Sequence, residues 1–344
     1  MNILFFGAGA IGTYIGGSLA QAGHSVTFIE RPEAAEIVRA RGLKLQLVDA
    51  AKTVREVLVV NSAAEALAAR PYDFGVFALK SFDTAAALEQ LRATGAAART
   101  PPILCFQNGV DNEPEIAGVL GVDHVIAGTV TSAVGKPGVG EIVLERKRGV
   151  GVALGHPLSA QIVDALARAD LGARAFPAAG PMKWSKMLTN LIGNATSAIL
   201  DLTVAELFAD RRLFAVEIAM LRECLAVMGA LSYAPVDLPG TPVRALAWAV
   251  AQLPRAAAQP ILTRAVGGGR GGKRPSFHID LHSGRGQTEV RWLNGAVARH
   301  GARLGVPTPV NQTLTETLEA LSAGRLNAEL FRHKPEKLLE LINV

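Results

Sequence analysis

The chain has 344 residues, which at about 150 residues per domain points to two domains. It is 49% hydrophobic and 19% charged, a balance that excludes disordered and fibrous classes. Against 30 Asp and Glu stand 35 Lys and Arg, a net charge of +5. That excess is too small to mark a nucleic-acid binder, so partners have to be argued from sites.

Residues 1–29 carry no Asp, Glu, Lys or Arg, and Ala20-Gln21-Ala22 resembles a small-residue cleavage site. A secretory leader is nevertheless not expected. No basic segment precedes the apolar run, and Gly7, Gly9, Gly12, Gly16 and Gly17 interrupt it. No window of about 18 uninterrupted apolar residues occurs, so no membrane segment is expected. Cys105 and Cys224 lack CxxC spacing and give neither a disulfide framework nor a zinc site. The seven histidines also lack metal-ligand spacing. No metal is expected, and a reducing cytoplasm is the expected location.

In chain order, Asn2–Phe6 reads as a buried strand, Ile11–Gln21 as a helix and Ser25–Ile29 as a second strand, a βαβ unit of about 30 residues. Apolar runs at 74–79, 103–106 and 124–131 continue the alternation, with helical pattern between the first two. Strands separated by helices imply a parallel sheet covered on both faces. Residues 138–144 and 149–154 read as a small β appendage, and 160–169 as a helix. The breaker cluster Phe176–Pro181 sets a domain boundary, with an α/β domain over 1–178 and an all-α domain over 179–344. In the second half, 182–230 and 289–321 show long helical periodicity. The basic, glycine-rich segment 265–275 reads as a loop beside the cleft.

Gly7-Ala8-Gly9-Ala10-Ile11-Gly12 is a GxGxxG that follows the first strand and opens the first helix. In that context Gly7 permits the tight turn, Gly9 the close approach of a pyrophosphate, and Gly12 the packing of helix on sheet. Free N–H groups at the helix start would face the phosphates. At the end of the second strand stand Glu30 and Arg31. An acid there accepts the ribose 2′-OH of NAD, whereas an arginine grips the 2′-phosphate of NADP. Both remain open on spacing.

Residues 183–200 read KWSKMLTNLIGNATSAIL. On one continuous helix Lys186, Asn190 and Asn194 would form a single polar row at i, i+4 and i+8, flanked by Met187, Leu188, Leu191 and Ile192. Polar groups in such surroundings need partners, from neighbouring helices or from a ligand. An ammonium in such a row can both stabilise negative charge that develops on a ligand oxygen and supply a proton to it.

These segments, together with Leu79-Lys80-Ser81, Phe106-Gln107-Asn108-Gly109-Val110, Pro275-Ser276, Asp280 and Thr288-Glu289, occur in the order seen in ketopantoate reductases. The chain resembles that family over nearly its whole length. The resemblance implies an N-terminal Rossmann domain and a C-terminal helical domain of the 6-phosphogluconate-dehydrogenase type, with hydride transfer in the cleft between them. It implies reduction of 2-dehydropantoate in pantothenate biosynthesis. By the same resemblance Lys186 is the general acid and Glu289 a carboxylate that orients cofactor and substrate. Asn108 lies at the nicotinamide end, Lys80 beside the cofactor, and Arg31 at the position that favours NADP. Asn190, Asn194 and Ser276 hold the substrate. The chain departs from the family pattern in three ways. One extra residue lies between Asp280 and Glu289, Arg291 stands where an Asp is common, and Lys273-Arg274 precede Ser276.

The expected partner is a small 2-keto acid, with no nucleic acid or membrane, and the apolar helices leave a homodimer open. Three other readings stand beside this one: a sibling dehydrogenase of another 2-keto or 2-hydroxy acid, a dinucleotide sensor without turnover, and a nucleic-acid binder using Arg264–Arg274. The last lacks interleaved aromatics.

Overall fold

The computed structural model of the chain describes residues 1–270, 274–284 and 286–342, with the side chains of 266–270 left aside. Its strands are β1 (Asn2–Phe6), β2 (Ser25–Ile29), β3 (Leu43–Gln46), β4 (Ala51–Val54), β5 (Val57–Val60), β6 (Phe74–Phe77), β7 (Ile103–Cys105), β8 (Val125–Val130), β9 (Ala133–Gly138), β10 (Glu141–Arg146), β11 (Val150–Ala153) and β12 (Ala173–Phe176). The chain divides into two compact units. The first comprises Met1–Lys183 and Leu238–Thr241, the second Trp184–Asp237 and Pro242–Val344.

In the first unit an eight-stranded sheet has the order β12-β11-β8-β7-β6-β1-β2-β5. The six strands from β5 to β8 are all parallel. Read from β5 as β5-β2-β1-β6-β7-β8, this is the doubly wound order of a dinucleotide-binding sheet, whose switch point lies between β1 and β6. Ile3, Leu4 and Phe5 are wholly buried because helices cover both faces. On one face Phe5 and Phe28 pack with ring centroids 5.2 Å apart. The helix Ala10–Gln21 comes so close to them that a Cβ on Gly16 would sit 2.5 Å from the Phe28 ring.

One expectation is corrected here. Residues 149–154 do not belong to a β appendage, because β11 pairs antiparallel with β8 and extends the main sheet. The appendage is a separate four-stranded sheet of order β4-β3-β10-β9. Half of it comes from the hairpin of β3 and β4, whose alternating pattern is too short to stand out in the sequence.

The second unit is helical throughout its described residues. Its long central helix, Arg211–Ala230, buries ten residues including Leu213, Phe214, Ile218 and Leu221. It packs against the helices Val243–Gln252, Asn294–Leu304 and Pro309–Ser322. The helical run expected over 182–230 is interrupted. The helix Ala179–Leu191 is followed by a turn, then by Ala195–Leu200, Val204–Ala209 and Arg211–Ala230. Gly193 adopts φ +58°, a left-handed conformation that stops the first helix. The loop expected over 265–275 is also corrected in part, since the helix Arg255–Arg270 runs into it. Residues 271–273 lie outside the described residues.

Candidate active site

In the first unit the sheet positions three loops at the carboxyl ends of β1, β6 and β7. The glycine turn follows β1. Gly7 has φ +94°, and its N–H donates to the Ile29 carbonyl at 3.1 Å. A Cβ on Gly12 would stand 2.2 Å from the Gly7 oxygen, and one on Gly9 would be 3.8 Å from the Ala78 oxygen. The turn is therefore pressed against the first helix at Gly12, where no larger residue fits, while Gly9 only touches the chain after β6 at ordinary contact distance. Gly9 is the N-cap of the helix Ala10–Gln21 and supplies no side-chain cap, and no acid lies in the first turn. Amides at Ala10, Ile11 and Gly12 thus form an anion-favouring helix start, and the residues present fit a dinucleotide pyrophosphate. Ala8 differs, since its N–H is held by the Glu30 carboxylate. Glu30 also accepts from the Arg31 N–H at 3.2 Å. Arg31 is exposed at the N-cap of the helix Pro32–Arg41.

Lys80 and Asn108, 28 residues apart, lie on the adjacent loops after β6 and β7. A buried polar network joins these loops. Gln107 Nε2 donates to the carbonyls of Leu79 and Lys80 at 3.2 and 3.4 Å, and to Thr84 Oγ1 at 2.7 Å. The Asn108 carbonyl accepts from Ser81 Oγ at 3.1 Å and from Asn112 Nδ2 at 2.6 Å. Gln107, Ser81, Thr84 and Asn112 are all buried, and the bond between Gln107 and Thr84 is shielded from water. Gln107 was recognisable only as part of a motif string. Its bridging role follows from the pairing of β6 with β7.

Lys186 and Asn190 are both half-buried on the helix Ala179–Leu191. Asn194 does not continue their helical row, because the turn at Gly193 re-aims it. Two bonds to Glu217 fix that turn. Its carboxylate takes the Gly193 N–H at 2.7 Å and the Thr196 hydroxyl. So redirected, Asn194 meets Ser276, with Nδ2 3.1 Å from Ser276 Oγ and Oδ1 accepting the Phe277 N–H at 3.0 Å.

Glu289 is 2% exposed and opens the short turn Glu289–Trp292, which packs against the helices Ser276–Leu281 and Asn294–Leu304. Ahead of it Gly284 and Gly286 take φ +74° and +65°, conformations that favour glycine, and Arg285 lies outside the described residues. Arg274 lies 3.3 Å from Asp201, which also receives His278 at 2.8 Å and Arg332 at 3.1 Å. Burial works against ionisation of Asp201. The His278 hydrogen bond and the charges of Arg274, His278 and Arg332 outweigh it and hold the carboxyl below its usual range. Lys273 lies outside the described residues.

Sequence comparison matches residues 3–155 to the family model "Ketopantoate reductase PanE/ApbA" and residues 180–322 to "Ketopantoate reductase PanE/ApbA C terminal". A 2-dehydropantoate 2-reductase of Streptococcus pyogenes serotype M6 is 25% identical over 336 residues, covering 94% of this chain and 98% of that one. A 2-dehydropantoate 2-reductase of Archaeoglobus fulgidus is 25% identical over 329 residues, with the same coverage. Among solved structures, a PanE/ApbA family ketopantoate reductase from Ralstonia eutropha JMP134 superposes with TM-score 0.78 at 25% identity, covering 94% of this chain and 99% of that one. A D-mandelate dehydrogenase in ternary complex with NADH and anilino(oxo)acetate shares the fold, with TM-score 0.75 at 21% identity and the same coverage. No described helix is long and apolar enough to cross a membrane. With both family models matched in order along one chain, and the doubly wound sheet and helical unit in place, the protein belongs to the ketopantoate reductase family of oxidoreductases.

Proposed function

We propose that this chain reduces a 2-keto acid, 2-dehydropantoate foremost, to the 2-hydroxy acid with NADPH as hydride source. The first unit serves the dinucleotide and the second the substrate, a division expected at residues 1–178 and 179–344. The observation that carries the substrate reading is the junction of Asn194 with Ser276 beside the helix of Lys186 and Asn190. The Asn190 amide, the Ser276 hydroxyl and the Lys186 ammonium form a donor set for a carboxylate and a developing alkoxide, while Asn194, whose Nδ2 donates to the Asn190 carbonyl and to Ser276 Oγ, holds Ser276 in place.

A bound nicotinamide dinucleotide supplies the hydride. The chain's own residues do the rest. The glycine turn and the amides of Ala10, Ile11 and Gly12 bind the pyrophosphate, and Lys80 and Asn108 flank the cofactor on their joined loops. Asn190 and Ser276 hold the substrate, and Asn194 holds Ser276. Lys186 donates its proton to the carbonyl oxygen as negative charge develops there, and Glu289 orients the reacting groups. Arg31, exposed at the end of β2, supports NADPH by pairing with a 2′-phosphate.

A second reading of the cofactor rests on Glu30. Its carboxylate is held over the glycine turn by the Ala8 and Arg31 amides, where an acid accepts a ribose 2′-OH and repels a 2′-phosphate. That geometry favours NADH. A second reading of the substrate is a different 2-keto acid, favoured by the basic residue Arg274 two positions before Ser276. The test is loss of dihydronicotinamide absorbance with NADPH and with NADH, over a panel of 2-keto acids that includes 2-dehydropantoate. Turnover of no 2-keto acid with either cofactor would sink the proposal. The highest kcat/KM in the panel identifies the substrate.

A further inference from the structure

Lys183 is an ammonium sealed inside the first unit, with 6% of its side chain exposed. It has no place in the chemistry above. Its Nζ lies 2.7 Å from Glu113 Oε1, 2.7 Å from the carbonyl oxygen of Gln107 and 3.3 Å from that of Gly128. Burial alone would pull its pKa down. The Glu113 carboxylate, 2.7 Å away, opposes that and tips the balance upward, so Lys183 stays a cation. Taking a charge out of water is costly, and a buried hydrophobic pair of similar volume would serve stability as well or better. A role beyond stability is therefore to be sought in what the ammonium holds.

It holds one side of Asn108. Peptide units are planar, so fixing a carbonyl oxygen fixes the plane on which the next residue hangs. The plane between Gln107 and Asn108 is pinned by Lys183. The plane between Asn108 and Gly109 is pinned by Ser81 and Asn112, whose donors reach the Asn108 oxygen at 3.1 and 2.6 Å. Gly109, at φ +95°, then turns the chain away. Both planes flanking the Asn108 Cα are set, and with them the direction of its Cα–Cβ bond. We propose that Lys183, held by Glu113, is a positioning residue that aims Asn108 at the nicotinamide end of the bound dinucleotide. Charge-assisted bonds suit that task because they are short and directional. The inference rests on the oxidoreductase reading above.

The test compares wild type with the double variant Lys183→Met, Glu113→Met, which removes both charges together and leaves neither buried alone. Four quantities are read: Tm, kcat, Kd for the reduced dinucleotide from dihydronicotinamide fluorescence, and Kd for ADP-ribose, which lacks the nicotinamide. The expected result is a folded protein whose kcat falls about tenfold and whose dinucleotide Kd rises about tenfold, while ADP-ribose binding stays within about twofold, as lost orientation at one end of a ligand predicts. Wild-type kcat and dinucleotide Kd in the folded double variant overturn the positioning role. So does equal loss of dinucleotide and ADP-ribose affinity, which marks general damage.

If the double variant does not fold, Lys183→Arg is read in its place. The planar guanidinium keeps the ion pair but cannot repeat the ammonium's geometry toward both carbonyls. A drop in kcat of about tenfold with intact ADP-ribose binding supports the role, and wild-type kcat overturns it. A wild-type chain that binds neither NADH nor NADPH overturns the oxidoreductase reading and this inference together. A wild type that turns over, beside a variant that does so equally, overturns the inference alone.

Discussion

Asn194 and Ser276, 82 residues apart, share a hydrogen bond of 3.1 Å, and the Asn194 carbonyl oxygen also takes the Phe277 N–H. Asn194 is 4% exposed and Phe277 wholly buried, so the Phe277 N–H cannot turn to water if Asn194 is lost, whereas the half-buried Ser276 can. Replacing it by alanine strands the Phe277 N–H and leaves a small cavity. A loss of about 1–3 kcal/mol is expected. Thermal unfolding of Asn194→Ala checks it, and an unchanged Tm would mean that the junction carries no stability.

Gly12→Ala places a methyl carbon 2.2 Å from the Gly7 oxygen, where backbone faces backbone. The turn has to open, and the helix-start amides lose their common focus. Dinucleotide affinity is expected to fall at least about tenfold, the loss of roughly one charge-assisted hydrogen bond. Isothermal titration with NADH and NADPH measures it directly.

Lys186→Ala removes the proposed general acid. A kcat lower by about 10²–10⁴-fold is expected, the usual worth of positioned proton transfer. The Kd of the reduced dinucleotide should change by no more than about twofold, since removing a transition-state interaction spares ground-state binding. Single-turnover kinetics with saturating cofactor separates the two. A wild-type rate in the variant would end the proposed mechanism.

Glu30 and Arg31 pull cofactor choice in opposite directions. Glu30→Ala lifts repulsion from a 2′-phosphate and should raise the NADPH-to-NADH ratio of kcat/KM. Arg31→Ala should lower it. Each shift is expected to be about tenfold, on the order of one charge pair at a partly exposed site. If both variants move the ratio the same way, the 2′ position is not read by this pair.

Acid should weaken the second unit through His278 and Asp201. Burial pushes the His278 pKa down, the charges of His282 and Arg274 add to it, and Asp201 opposes them without reversing the sign. The unfolded chain therefore protonates this histidine first, at about pH 6.5. Its stabilising contribution is complete above that value and is lost as pH falls below it. Asp201, held below its ordinary range, contributes above about pH 3.8, and that contribution disappears as pH drops through its lower folded value. Tm measured from about pH 8 down to about pH 5 should fall in the wild type and fall less in His278→Gln.

Some of the helix breaks in the second unit carry a local signature in the sequence. Thr203-Val204-Ala205-Glu206 is a capping box, with Thr203 and Glu206 bonded reciprocally, and Asp210 caps the next helix through the Arg212 N–H at 2.7 Å. Both mark breaks inside the run read as continuous periodicity, because apolar spacing persists across short turns when successive helices line one core. Other features had no such signature. The hairpin of β3 and β4 is stabilised by pairing with β10, nearly a hundred residues on, so the short segment alone carries little preference.

By itself the amino-acid order settled what is local: a βαβ start, the glycine turn whose conformations exclude larger residues, and a set of ammonium, amide, hydroxyl and carboxylate groups in the order of one enzyme family. Spacing along a strand or helix is enough for these, since the forces involved act within a few residues. Tertiary packing decided the rest. It placed the glycine turn against β6, turned Asn194 out of its helical row toward Ser276, and enclosed Lys183 with Glu113 under the Asn108 loop. The physical reason is that a buried polar side chain takes its role from whichever donor or acceptor the fold brings within about 3 Å. Here those partners lie 70 to 82 residues away in the chain.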